Sequence, residues 1–131
     1  MFLTKECDYA IRVVRGLADM EIKSVRTLCE REDIPQPFAY KILKKLEHEG
    51  IVTAHRGNAG GYQLAKMPDG ITLLDIVQAV DKQLFLHECL RENHTCSRNS
   101  DDSRCQVHQE FTRIQAILMD ELSKKKMKEL I

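Results

Sequence analysis

Residues 89 to 108, CLRENHTCSRNSDDSRCQVH, put three cysteines and two histidines into a stretch that otherwise reads as polar loop. Thiolates and imidazoles are donors for transition metals and iron–sulfur centres. Six residues separate Cys89 from Cys96, eight separate Cys96 from Cys105, and His108 follows Cys105 by three. Such gaps are too wide for a zinc knuckle, whose close C-x-x-C pairs reach a small ion from a tight turn. An iron–sulfur cluster is larger and accepts ligands spread over an open loop, so the spacing favours a cluster over zinc. Cys105 and His108 stand at i and i+3 in the first turn of a helix and can point at one site. The dipole there also favours the thiolate form of Cys105. A disulfide between two of the three cysteines is the competing reading, and under oxidation it would itself be a redox switch. Core filling fits poorly, because structural cysteines prefer apolar surroundings. Cys29 lies on an apolar helix face and reads as core, whereas Cys7 fits either role. His94 reads as a loop residue, and His87 as a flank of the site without binding.

The elements around this segment set what it can control. A chain of 131 residues suits one compact unit with an extension. Lys plus Arg and Asp plus Glu are 20 each, so no global field advertises nucleic acid, and any such binding must come from local clustering. The opening MFLTKECDYAIRVV is charged from residue 5 and has no small-residue cleavage pattern, so it reads as neither signal peptide nor anchor. No apolar run approaches the roughly 20 residues that span a bilayer. A cytoplasmic protein without membrane association is expected. In that reducing compartment the five cysteines point to a metal or redox site rather than a disulfide frame.

Apolar residues Tyr9, Ala10, Val13, Val14, Leu17 and Ala18 fall on one side of a 3.6-residue repeat, which predicts a helix from Leu3 to Met20 capped by Thr4. VRTLCERED, behind Ser24, predicts a short second helix. The prolines of IPQPF end it, and Pro37 suits the first turn of a third helix running to Glu49, with Ala39, Ile42, Leu43 and Leu46 buried and Gly50 as the stop. The period then becomes two: IVTAHR, GNAGG and YQLAK predict a β-hairpin with a glycine-rich tip. TLLDIVQAV predicts a fourth helix capped by Thr72, residues 81 to 104 a polar loop, and Val107, Phe111, Ile114, Ile117, Leu118 and Leu122 a long amphipathic C-terminal helix. That apolar stripe needs a cover, and a second copy of the chain is preferred over packing within one chain. The run KKKMK reads as a solvated helix end.

Three helices with a sharp turn between the second and third, then a glycine-tipped hairpin, is the order of a winged helix-turn-helix. The fold class is mainly α with a small β-hairpin: a winged helix-turn-helix domain plus a long C-terminal dimerisation helix. Residues 1–80 form the DNA-binding unit, 81–104 the cysteine-bearing loop and 105–131 the dimerisation helix and tail. Gln36, Tyr40, Lys41, Lys44 and Lys45 take the outward positions of the third helix, and the hairpin adds His55, Arg56 and Asn58. Lysines supply phosphate affinity, while Gln36, Tyr40 and Arg56 are the candidates for reading bases or groove shape. No phosphate-cradling glycine loop, C-x-x-C pair or nucleophile elbow occurs, so no enzyme is expected.

The segments LTKECDYAIRVVRGLA, IPQPFAYKILKKLEHEGIV, RGNAGGYQLAK and ITLLDIVQAVD, followed by the cysteine cluster, resemble the Rrf-two-type family of bacterial winged-helix transcription regulators, which includes the iron–sulfur cluster regulator and the nitric-oxide-sensing repressor. The resemblance runs from about Leu3 to about Leu122 and is most specific in RG-x-x-GGY-x-L. It implies a homodimer on a partly palindromic promoter site, long C-terminal helices crossing between subunits, and Arg56 in the minor groove. It also implies a [2Fe–2S] or [4Fe–4S] centre on Cys89, Cys96 and Cys105. C-x-x-H resembles the cluster regulator and makes His108 the fourth ligand. ECDYAIR resembles the nitric-oxide sensor, whose aspartate, at the position of Asp8 here, comes from the partner subunit. Tyr40 departs from the glutamate that tunes base preference in the cluster regulator, and the cysteine gaps are longer than usual. The expected function is a homodimeric regulator whose operator binding is controlled by the cluster. The alternative is a clusterless regulator of the same fold controlled by a partner protein, zinc or thiol redox state.

Overall fold

The computed structural model describes residues 3–100 and 104–131; residues 101–103 of the polar loop and the first two residues lie outside it. Helix α1, Lys5–Gly16, starts at Thr4, whose Oγ1 accepts from the Cys7 amide at 3.4 Å, and buries Cys7, Ala10, Val13 and Val14. It stops short of the predicted Met20. Leu17 to Asp19 form a turn, and Met20 is left-handed (φ 66°), which swings Lys23 beside the hairpin. Gly16 is the point of closest approach to the next helix: a Cβ there would lie 2.6 Å from Leu28 Cδ1.

Helix α2, Val25–Glu32, is capped by Ser24 Oγ, which accepts from the Thr27 amide at 3.1 Å. It ends at left-handed Asp33. The Arg12 guanidinium donates to the carbonyls of Glu32 (3.1 Å) and Asp33 (3.4 Å), tying the turn before the next helix to α1. Helix α3, Gln36–His48, has Pro37 in its first turn and buries Ala39, Ile42, Leu43 and Leu46, the predicted stripe. Strands β1 (Val52–His55) and β2 (Gly61–Leu64) pair antiparallel, with Val52 opposite Leu64 and His55 opposite Gly61. Lys23 adds a third, one-residue rung: its amide and carbonyl bond Tyr62 at 2.9 and 2.8 Å. Gly61 makes room for it, since a Cβ would fall 2.2 Å from the Lys23 carbonyl oxygen.

Helix α4, Leu73–Val80, begins with a reciprocal cap between Thr72 and Asp75 (3.1 and 2.8 Å). Helix α5, Gln106–Lys124, buries no residue completely. The chain then turns back. Lys126 pairs with Thr72, the Met127 amide donates to the Ile71 carbonyl at 2.7 Å, and a final short helix, α6 (Met127–Leu130), drops the Met127 side chain into the core at 2% exposure. KKKMK is therefore not simply a solvated helix end. Its lysines face water, but its methionine shares one hydrophobic core with Val13, Leu28, Leu46 and Ile76. No described helix is long and apolar enough to cross a membrane.

Candidate functional site

Polar side chains of the loop after α4 and of α5 bond the described part of that loop. A 3-10 turn at Glu88–Leu90 is capped by His87, whose Nδ1 accepts from the Cys89 amide at 3.3 Å. The His87 ring also packs on Phe111 of α5, centroids 5.8 Å apart. Further on, the Asn99 amide closes a turn on the Cys96 carbonyl (3.0 Å), and Asn99 Oδ1 accepts from the amide of Cys105 (3.2 Å), the residue that precedes α5. One asparagine thus joins the turns of two cysteines. Gln115 of α5 makes the other junction: its amide nitrogen donates to the Leu84 carbonyl (2.7 Å) and its Oε1 accepts from the Leu86 amide (2.9 Å).

These bonds bring Cys89, Cys96, Cys105 and His108 to one cavity of about 220 Å³, which His87, His94 and Phe111 also line. All three thiols are free. His108 Nδ1 is buried and has no hydrogen-bond partner among the described residues. An unsatisfied buried nitrogen costs on the order of 1–3 kcal/mol. The donors do not meet at a point, however: among the described residues no three His, Cys, Asp or Glu side chains group closely enough to hold one metal ion. Thiols and an imidazole spread round a cavity fit a multi-atom centre better than a single ion. The other two cysteines stand apart. Cys7 is fully buried, and Cys29 packs against the core, where burial pushes its thiol pKa up. Asp8 lies beside Leu3, Lys5 and Ile11, away from this cavity, and pairs with Arg12 (3.2 Å) and Lys5 (3.4 Å). Burial pushes its carboxyl up, but the bonds from Arg12 and Lys5 outweigh this and hold it below the usual carboxylate range. Within one chain Asp8 does not join the thiols.

The candidate DNA face divides in two. Gln36, Tyr40, Lys41 and Lys44 on α3, and Arg56 and Asn58 at the hairpin tip, are exposed. His55 and Lys45 are engaged in the fold. His55 Nε2 bonds Gln63 Oε1 across the hairpin (3.1 Å), and the Gln63 amide donates to the Met20 carbonyl, which fixes the wing to the α1–α2 connection. Lys45 points along the flank of α3 rather than outward, donating to Glu6 Oε2 (2.7 Å) and to the Val80 carbonyl (3.0 Å). Lys41 reaches the other oxygen of the same Glu6 at 2.5 Å. Bonds from Lys41 and Lys45 hold the Glu6 carboxyl below its usual range.

A family model for Rrf2, described as an iron-dependent transcriptional regulator, matches residues 3–131. The chain belongs to the Rrf2 family of transcriptional regulators. An HTH-type transcriptional regulator of Aquifex aeolicus is 32% identical, the match covering 100% of this chain and 92% of that protein. NsrR of Shouchella clausii is 33% identical over 76% of this chain and 69% of its own. The fold superposes on CymR, the global cysteine regulator of B. subtilis, with a TM-score of 0.75 and 18% identity over 97% of this chain and 93% of CymR. These likenesses bear out the expected Rrf2-type kinship and the winged-helix fold.

Several residues that tie the candidate surfaces into the fold carry no pattern of their own in the sequence: Glu6, Arg12, Lys23 and Asn99. Gln115, which does so too, leaves a signal. It is the polar member of the otherwise apolar ridge Phe111, Gln115, Leu118, Leu122.

Proposed function

We propose that this protein is a homodimeric regulator whose operator binding is set by an iron–sulfur cluster, [2Fe–2S] or [4Fe–4S], held by Cys89, Cys96, Cys105 and His108. The observation that carries the reading is the cavity lined by three free thiols and by His108, whose buried Nδ1 has no hydrogen-bond partner among the described residues. The family's description as iron-dependent supports it. When bound, such a cluster supplies a centre that gains or loses electrons and is destroyed by oxidants, so its presence carries a signal.

The chain's own residues supply the rest. Gln36, Tyr40 and Arg56 read bases or groove shape, while Lys41, Lys44 and Lys45, with His55 and Asn58 of the hairpin, serve backbone contact and placement on double-stranded DNA. Homodimerisation is supported by α5, where Val107 is 58% and Ile117 48% exposed, leaving an apolar stripe that a second copy would cover. The same pairing would let Asp8 of the partner subunit stand in for His108. Two links tie the junction of α4 and the loop to the reading helix: Lys82, at the start of the loop, pairs with Glu49, just beyond α3, at 2.5 Å, and Lys45 holds the carbonyl of Val80, the last residue of α4. Ordering residues 89–105 therefore acts on a loop already bonded to α3 at one end and to α5 at the other.

One observation favours a second reading, control by thiol redox state without a cluster: the three thiols share a cavity but no three ligands group around one ion. Cys96→Ala and His108→Ala separate the two. Under the cluster reading Cys96→Ala, purified without oxygen, loses visible absorbance and iron and binds operator as the iron-free wild type does; His108→Ala does the same with His108 as fourth ligand and keeps the cluster with Asp8 of the partner subunit in that place. If neither the wild type nor the variants hold iron, and oxidation alone changes operator affinity, the thiol reading replaces it.

A further inference from the structure

Glu6 sits in the first turn of α1, and its carboxylate takes up two of the three lysines of α3. Lys41 and Lys45 are one helical turn apart on the side of α3 that faces α1, and each bonds a different oxygen of Glu6. Lys44 makes no ion pair among the described residues. The Glu6 side chain is only 24% exposed, so this bifurcated pair is better shielded than most surface pairs.

We propose that Glu6 is an internal competitor for DNA phosphates, a specificity-determining residue that limits how much of the binding energy comes from sequence-independent contacts. The inference rests on the reading of α3 as the DNA-facing helix. A lysine enters a phosphate contact either by leaving Glu6, and losing that pair, or by keeping it, with a carboxylate then held close to the phosphate. Both routes weaken the counterion-release contribution of Lys41 and Lys45. Base-reading side chains such as Gln36 and Tyr40 make no bond to Glu6 and keep their contribution.

Glu6→Gln keeps the side-chain shape and removes the charge. The test measures affinity of the full-length protein for a short duplex of arbitrary sequence across a salt series. With the competitor gone, affinity at low salt should rise about 2- to 30-fold, the range spanned by two surface pairs. The plot of log affinity against log salt should steepen by about 0.9 for each phosphate newly contacted, hence by about 1 to 2. The gain should vanish when Glu6→Gln is combined with Lys41→Ala and Lys45→Ala. Glu30→Gln, which removes an exposed carboxylate paired with Arg26 on α2, controls for net charge, and thermal melting controls for folding. Weaker binding by Glu6→Gln, an unchanged salt slope, or an equal gain from Glu30→Gln overturns the proposal. If Lys41→Ala, Lys44→Ala and Lys45→Ala all bind DNA like wild type, α3 is not the DNA face, and the inference falls with that reading rather than on its own terms.

Discussion

Replacing Gln115 with leucine tests whether α5 holds the cysteine loop in place. Leucine keeps the bulk and the apolar ridge of α5 but removes both hydrogen bonds, leaving the Leu84 carbonyl and the Leu86 amide without their partner. A net hydrogen bond contributes about 1 kcal/mol, and partly buried groups left unpaired cost at least that. The two together destabilise the closed loop by about 2 kcal/mol, a change of roughly 30-fold in the local opening equilibrium. Amide hydrogen exchange followed by mass spectrometry or NMR reads this directly. Exchange at Leu86 and in the following turn should speed up by about that factor, while amides of α3 and of α1 should be unchanged. The same variant should release iron faster from the reconstituted protein. Unaltered exchange at residues 84–90 would refute the clamp, and equal acceleration everywhere would show a global rather than a local effect.

Met127→Ala should cost about 2–4 kcal/mol in urea unfolding, because a buried side chain leaves a cavity where the chain returns to the core; a loss below about 0.5 kcal/mol, the range of surface changes, contradicts its core role. Asp19→Asn removes the partner of Lys23, whose side chain is only 5% exposed. The Lys23 bond, ahead of the opposing effect of burial, holds the Asp19 carboxyl below its usual 3.8. A depressed folded-state value gives stability that is present above the unfolded value and lost as pH falls through the folded one. The variant should thus be less stable than wild type at neutral pH, with the gap closing below about pH 3.8; a gap that ignores pH refutes the pairing.

The helices and the hairpin were legible because their signals are local. Ala39, Ile42, Leu43 and Leu46 repeat at helical steps and are all buried, and Thr72 and Ser24 cap where their types predict. What was not legible depends on partners distant in sequence. Nothing near Lys23 indicates that it will pair with Tyr62, and Met127 among lysines has no period to betray a core position. At the candidate site, residue type and spacing picked out Cys89, Cys96, Cys105 and His108, which do line one cavity. The bonds that hold the described part of the loop are not legible in sequence, since they come from Asn99, His87 and Gln115 acting on backbone groups that sequence patterns do not encode. Helical phase alone puts Lys45 outward. Glu6 and the Val80 carbonyl draw it to the flank of α3.

The central claim is that metal occupancy of the loop sets how this regulator binds its operator. Wild-type protein prepared without oxygen, assayed for iron and acid-labile sulfide and then titrated with operator DNA before and after chelation, tests it most directly. Control by a cluster predicts coloured protein with iron and sulfide in equal amounts and a different operator affinity once both are removed. Colourless protein without iron, binding operator with the same affinity before and after chelation, contradicts it.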